Sequence, residues 1–245
     1  MKAMILAAGV GSRLRPLTDE TPKALIDVGG APMIEHVILR LKAAGVTEVV
    51  VNLFHLGDRI AAFLASRGNF GLRVEFTREV ELLDTGGGLK NAAWFFDDGR
   101  PFFVHNVDVL SEIDLGALHR FHEENRVLAT LAVQRRPSSR LLLFDRDRGL
   151  CGRETREGVE WAKAPVPDVE RLAFTGIHVI DPAIFPKMTE TGVFPVTQAY
   201  LRLAGAGERI VACRVDGSYW QDIGSAEKLE QAREYVWKTR PQIGR

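Results

Sequence analysis

A glycine turn followed closely by two cations is the part of this chain best equipped for chemistry. Residues 1–23 read MKAMILAAGVGSRLRPLTDETPK. The apolar run Ala3-Met4-Ile5-Leu6-Ala7-Ala8 has the length of a buried strand. It turns through Gly9-Val10-Gly11, delivers Ser12, Arg13 and Arg15, and reaches Thr21-Pro22-Lys23. A strand that runs into a glycine turn frees backbone N–H groups to surround an anion, and Arg13 and Lys23 add two full positive charges there. Taken singly, Arg13 reads as a surface ion pair and Lys23 as a solvated loop residue. Together, after one glycine turn, they read as a polyphosphate site. Two commoner phosphate motifs are excluded. A dinucleotide fingerprint needs a third glycine where Leu14 stands, and an acid where the next long strand ends in Asn52 and Leu53. No GxxxxGK[ST] sequence occurs.

The elements that would position these groups alternate. Residues 24–28 read as a short strand or extended segment ending at Gly29-Gly30. Pro32 opens a helix in which Ile34, Val37, Ile38 and Leu41 share a face, and which stops at Gly45. Residues 47–53 (TEVVVNL) form the β-branched run of a strand covered on both faces. Ile60, Phe63 and Leu64 mark a second helix, and residues 72–76 a third strand. Asp84-Thr85-Gly86-Gly87-Gly88 then precedes a helix carrying Leu89, Ala92, Ala93 and Phe96. Residues 102–105 form a fourth strand that ends in Asn106-Val107-Asp108. Alternation at this spacing predicts an α/β fold with a parallel sheet, whose ligands lie beyond the carboxyl ends of its strands. The Gly9–Gly11 turn, the glycine triplet and Asp108 all fall there. The triplet would let a flat ligand approach the backbone, and a helix-opening turn is equally compatible.

The second half is less regular. Asp114 is an N-cap candidate before Leu115, Leu118 and Phe121, and residues 127–133 form a buried strand. Residues 140–163 are hairpin-like, with turns at 147–149 and 156–158. Residues 172–180 form a strand, 195–204 a helix and 209–215 a strand. Ser225 caps a last helix with Leu229, Ala232 and Val236 on one face. This half is expected to extend the sheet and close over the site. His105 and His178 sit inside apolar runs and read as packed strand residues, and His55, His119 and His122 show no metal spacing.

Composition narrows the rest. The chain has 245 residues, 46% hydrophobic and 26% charged, with Lys+Arg and Asp+Glu at 32 each. That is ordinary for a globular enzyme-sized domain and carries no nucleic-acid footprint. Cys151 and Cys213 form no paired motif, which suits a reducing, cytoplasmic setting. The N-terminal apolar run is too short for a signal peptide, and no run approaches the roughly 18 residues of a membrane helix.

LAAGVGSRLRPLT…PKAL resembles the signature of the sugar-phosphate nucleotidylyltransferases, in which G-x-G-[TS]-R-L-x-P-L-T is followed by P-K. DTGGG at 84–88, NVD at 106–108 and WQDIG at 220–224 match in order. The resemblance is nearly end to end and is similar to the compact branch that includes N-acetylmuramate-1-phosphate uridylyltransferases and mannose-1-phosphate guanylyltransferases. It implies a Rossmann-like three-layer α/β/α fold with a mixed, mainly parallel sheet, the nucleotide-diphospho-sugar transferase fold. It also implies one catalytic domain over residues 1–245, with no acyltransferase β-helix. The implied reaction is Mg²⁺-dependent transfer from an NTP to a sugar 1-phosphate, with UTP favoured through the TGGG segment. Guanylyl transfer to mannose or another hexose or heptose phosphate is the alternative. In another class stands a non-catalytic nucleotide- or sugar-nucleotide-sensing subunit, which would be expected to lose a cation or aspartate that this chain retains.

Residue by residue, the resemblance makes Arg13, Lys23 and Asp108 catalytic and Asp108 and Asp222 the Mg²⁺ ligands, in keeping with magnesium's taste for one or two carboxylates plus phosphate and water. Nucleotide contacts fall to Leu6, Ala7, Ala8, Gly9, Gly11, Ser12, Arg13, Lys23 and Asn106, with Thr85 and Gly86 at the base. Lys163 in WAKAP is placed on the sugar phosphate, unless it is an exposed hairpin lysine, and Gly176 in FTGIHV against the sugar. Val107 replaces the glycine usual before this aspartate and is expected to crowd the backbone near the sugar. The implied partners are the two substrates, with no nucleic acid and no membrane, for a monomer or homodimer.

Overall fold

In the computed structural model, which describes residues 1–239, four parallel strands form the first half of the sheet. They are β1 (Lys2–Leu6), β2 (Glu48–Leu53), β3 (Arg73–Arg78) and β4 (Phe102–Asn106), in the order β3-β2-β1-β4. Between them run α1 (Leu17–Glu20), α2 (Met33–Ala43), α3 (Gly57–Ser66) and α4 (Asp84–Asn91). Apolar residues fill both faces because successive side chains on a strand point oppositely. Ala3, Ile5, Val49 and Val51 enter one core with α2 and α3, while Met4 and Val50 enter the other with Leu89 of α4. Each large side chain so buried contributes about 1.5–3 kcal/mol.

The second half supplies β5 (Val109–Ser111), α5 (Leu115–Asn125), β6 (Ala129–Gln134), β7 (Leu141–Phe144), β8 (Leu150–Thr155), β9 (Gly158–Trp161) and β10 (Glu170–Ile180). It continues with α6 (Val196–Gly205), β11 (Ile210–Arg214), β12 (Trp220–Asp222) and α7 (Ala226–Thr239). Long β10 is the hinge of the topology. It pairs antiparallel with β4 and β6 through one end and with β7 through the other, and β11 joins β6 in parallel. With α2, α3 and α7 on one face and α4 and α6 on the other, the arrangement is the three-layer α/β/α fold with a mixed sheet.

Asp114 caps α5 by accepting from the Ala117 N–H at 2.8 Å, and Leu229, Ala232 and Val236 of α7 are buried together. Of the strand or extended segment expected over residues 24–28, the structure has the second: a 3₁₀ turn over Lys23–Leu25 leads to extended Ile26 and one bridge between Asp27 and Pro32. The glycine triplet takes the helix-opening alternative and lies in the first turns of α4. Only glycine fits there, because atoms of neighbouring segments occupy the Cβ directions: a Cβ on Gly86 would run into the Phe194 ring, and one on Gly87 would lie 2.5 Å from Gly192 O. The two-stranded β5–β12 ladder was not foreseen, since three-residue strands have too little pattern to read.

Candidate active site

The parallel strands end at a cleft of about 440 Å³, bordered by Leu6, Ala8, Gly9, Gly11, Ser12, Arg13, Lys23, Thr85, Asn106 and Asp108. Gly11 makes the first turn, at φ 65°, where a Cβ would also lie 2.8 Å from Thr18. The Thr18 hydroxyl donates to Gly11 O at 2.9 Å and secures the loop carrying Ser12 and Arg13. Lys23 swings back from its 3₁₀ turn to pair its ammonium with Asp108 Oδ2, and its side chain is only 11% exposed.

Asp108 and Asp222 lie together because β12 runs antiparallel to β5, with Asp222 opposite Val109, and the Ile223 N–H donates to Asp108 O at 3.0 Å. Burial would raise the Asp222 carboxyl. An ion pair with Lys228, the Gly224 N–H at 2.9 Å and the field of Lys23 outweigh it and hold the carboxyl below its ordinary range. Asp222 stands just behind the lining, which its neighbour Gly224 reaches. Gly224 needs its missing side chain: a Cβ there would lie 2.9 Å from the Arg13 guanidinium and 2.5 Å from Asp222 Oδ1. The Lys23–Asp108 and Lys228–Asp222 ion pairs therefore form one charge knot, with the Arg13 guanidinium beside it against Gly224. Val107 is 4% exposed, packs in the first core and also borders the cleft, and its N–H donates to Leu6 O at 3.0 Å.

A second lobe of about 920 Å³ opens from the first through Leu6, Asp84, Thr85 and Asn106. Its outer wall is the β7–β9 hairpin, with Arg140, Arg153, Glu154 and Arg156, and its floor includes Phe174 and His178. Arg153 is tied to Glu160 at 2.6 Å, whereas Arg140 and Arg156 have no ion pair among the described residues.

Several expected contacts fall elsewhere. Ala7 is buried and its N–H donates to Asn52 Oδ1 at 2.7 Å. Gly86 is not on the lining: its N–H donates to Phe194 O at 2.9 Å. Gly176, at φ 79°, bends β10 so closely over Asn106 that a Cβ would lie 2.6 Å from Nδ2; it shapes the lobes' junction from behind. Lys163 is exposed and borders neither lobe. The reason is its neighbour. Ala162 donates to Cys151 O at 2.9 Å and packs its carbonyl against Gly205, which ties the segment to the far end of α6.

Sequence reasoning passed over Lys228, Arg136, Asn52 and Glu79. Lys228 was detectable: it sits in the first turn of α7, where a helix dipole disfavours cations, and its pairing with Asp222 explains the exception. Arg136 was not detectable. It stacks on Trp220 at 3.6 Å and donates to Phe174 O at 3.0 Å, so it braces the strand that carries Asp222. Burial lowers the Arg136 pKa, against the opposing field of Asp222. His105 and His178 are 1% exposed; burial pushes them down to about 4 and about 3.

A parallel sheet with cations, carboxylates and a glycine turn at its carboxyl edge defines a nucleotide-handling α/β enzyme. The family model described as Nucleotidyl transferase matches residues 2–239, and the chain belongs to that family. It is 33% identical over 243 residues to the N-acetylmuramate alpha-1-phosphate uridylyltransferase of Neisseria meningitidis serogroup B, covering 97% of this chain and 100% of that one. A protein of Oryza sativa subsp. japonica named for mannose-1-phosphate guanylyl transfer is 34% identical over 247 residues, and this chain spans 63% of its length. The fold is also that of the UDP-glucose pyrophosphorylase of Acinetobacter baumannii, at TM-score 0.80 and 18% identity over 99% of this chain and 95% of the other.

Proposed function

We propose that this enzyme transfers a nucleoside monophosphate, from UTP in preference to other NTPs, to a sugar 1-phosphate, and that residues 1–245 act as one catalytic domain. The observation that carries the reading is the charge knot of the first lobe. Arg13, Lys23 and Asp108 border that lobe with Asp222 just behind them, and a second, roomier lobe opens from it through Leu6, Asp84, Thr85 and Asn106. A phosphate oxygen of the sugar attacks the α-phosphorus of the NTP. The bond to the bridging α–β oxygen breaks, and pyrophosphate leaves with the electron pair. The attacking oxygen is already an anion, so no side-chain base is required, and catalysis rests on alignment and charge neutralisation.

Arg13 and Lys23 neutralise the triphosphate and the departing pyrophosphate. Lys23 must exchange its hold on Asp108 for phosphate, and Lys228 keeps Asp222 ionised. Asp108 and Asp222 would hold a magnesium ion, whose chemistry is Lewis-acid neutralisation of phosphate charge. Two neighbouring carboxylates, each paired with an ammonium, suit that hard cation. The preference for UTP rests on DTGGG at 84–88 and on the full-length match to a uridylyltransferase.

The test is pyrophosphate release with Mg²⁺ across UTP, GTP, CTP, ATP and dTTP against a panel of sugar 1-phosphates. One productive pair containing UTP, silenced by EDTA, is the expected result. Turnover with GTP and mannose 1-phosphate alone would move the assignment to guanylyl transfer. Silence throughout, with an NTP still raising the melting temperature, would identify a sensing protein.

A further inference from the structure

At the inner wall of the cleft's nucleotide end, which Asn52 borders, lies a polar chain that the proposed reaction does not itself require. The Ala7 N–H donates to Asn52 Oδ1 at 2.7 Å, Asn52 Nδ2 donates to Glu79 Oε1 at 2.7 Å, and the Leu83 N–H donates to Glu79 Oε2 at 2.9 Å. Asn52 is 2% exposed and Glu79 8%. Glu79 has no ion pair among the described residues, and its carboxyl oxygens are held in the interior by two neutral donors alone. Burying polar groups in this way is costly unless they are hydrogen-bonded, so the three bonds hold the chain together. The third glycine of DTGGG leaves the room: a Cβ on Gly88 would lie 2.8 Å from Asn52 Nδ2 and 2.9 Å from Glu79 Oε1.

The chain has a fixed direction. Both of its ends are backbone N–H groups, which can only donate, so the two side chains between them must together present acceptors outward and one donor inward. Asn followed by a carboxylate satisfies this. Two amides cannot, because a glutamine at position 79 would turn an NH₂ toward either the Leu83 N–H or the Asn52 NH₂. The same logic assigns the Asn52 amide orientation from chemistry, since only its oxygen can face Ala7.

We propose that Asn52 and Glu79 are positioning residues whose one-way hydrogen-bond relay fixes the separation of the two backbone walls at the nucleotide end, and that this spacing sets nucleobase discrimination. One wall is the loop at Ala8 and Gly9, tied through Ala7. The other is Leu82, Asp84 and Thr85, tied through Leu83. The assignment to the base rests on the proposed nucleotidyl transfer. The relay itself does not.

The test compares the full-length protein with Glu79→Gln, Asn52→Asp and the double variant. The double variant reverses the relay without breaking it. The carboxylate introduced at position 52 accepts from the Ala7 N–H and from the amide NH₂ introduced at position 79, and the oxygen of that amide accepts from the Leu83 N–H. Pyrophosphate release is measured with UTP and with GTP, and amide hydrogen exchange is followed at Ala7 and Leu83. Glu79→Gln should raise the KM for the preferred NTP about tenfold, as expected for one buried mismatch. It should also narrow the UTP/GTP preference, with kcat and the sugar 1-phosphate KM held within about threefold. Asn52→Asp, which sets two carboxylates face to face, should lose more. The double variant should return the NTP KM to within about threefold of wild type and restore slow exchange at both amides. An unmoved NTP KM in a folded Glu79→Gln protein, or a double variant no better than either single one, would overturn the proposal. If the wild type turns over no NTP, the transfer reading fails on its own account. The exchange data still decide the relay: both single variants must speed exchange at Ala7 and Leu83, and the double variant must slow it again.

Discussion

In the lobe that the proposed reading gives to the nucleotide, backbone forms two facing walls tied to buried groups: the loop after β1 through Ala7 on Asn52, and the start of α4 through Leu83 on Glu79. In the second lobe, which the proposed reading leaves to the sugar 1-phosphate acceptor, the wall is side chain, carried on an exposed hairpin whose arginines and glutamates meet water. The phosphate chain is alike in every NTP, and the bases are flat rings that differ mainly in width and edge groups, so a rigid backbone mould of fixed spacing serves them. Sugars differ in their hydroxyls and substituents, and interchangeable side chains on a β-hairpin suit that variety. The division also separates energies. The Lys23–Asp108 pair and the Asn52–Glu79 contact are largely buried and resist screening, whereas the ion pairs of the hairpin are exposed and individually small.

The charge knot should produce the largest effects. Asp108→Asn and Asp222→Asn each keep size and fold, and each should lower kcat by about 10²–10³-fold with intact far-UV circular dichroism. Single-turnover measurements of pyrophosphate formation would show whether chemistry is slowed. A kcat within twofold of wild type in both variants would mean that neither aspartate serves the reaction and that the comparison has placed its catalytic boundary wrongly. A smaller effect is expected across the cleft. Replacing both Arg140 and Arg156 by alanine should raise the sugar 1-phosphate KM by up to about fivefold, the scale of exposed charges, and leave the NTP KM unchanged. If the NTP KM rises instead, the hairpin wall belongs to the nucleotide and the two ends are not separate.

The two regions also differ in how far they are legible in sequence. Gly11 must adopt φ 65° beside Thr18, and Gly224 must clear Arg13; constraints of that kind restrict residue type at fixed spacing and leave a motif. The alternation of β1, β2, β3 and β4 with helices is legible for the same local reason. The relay is different. Asn52 and Glu79 are 27 positions apart and meet only because β2 and β3 run in parallel register, with Leu53 beside Arg78. The hairpin wall likewise depends on antiparallel register, which sets Arg153 opposite Glu160. Lys163 shows the converse hazard: a lysine in a suggestive tripeptide is carried away from the cleft by the packing of Ala162 on Gly205. Arg136 is recognisable only once Trp220 is known to lie beneath it.

The smallest expected effect concerns the floor between the two ends, where β4 and β10 pair His105 with Ile177 and His178 with Val104. Burial holds His178 near 3, against roughly 6.5 in an unfolded chain. The folded protein thus binds fewer protons than the unfolded one below pH 6.5, so the contribution of this residue to stability is complete above that value and is lost as the pH falls toward 3. Between pH 6.5 and 5.5 the loss is about 1 kcal/mol, or about 2–4 °C in Tm for a chain of this size. It should be insensitive to salt, because desolvation and not an ion pair is its cause, whereas the hairpin's exposed pairs are screened. In His178→Gln, whose amide can still meet the Tyr200 hydroxyl that lies 2.7 Å from His178 Nδ1, the fall in Tm over that interval should be shallower by the share of one histidine. Parallel melting curves for the two proteins would show that His178 is not held neutral by burial, and the floor would then have to be counted with the solvated, acceptor side of the cleft.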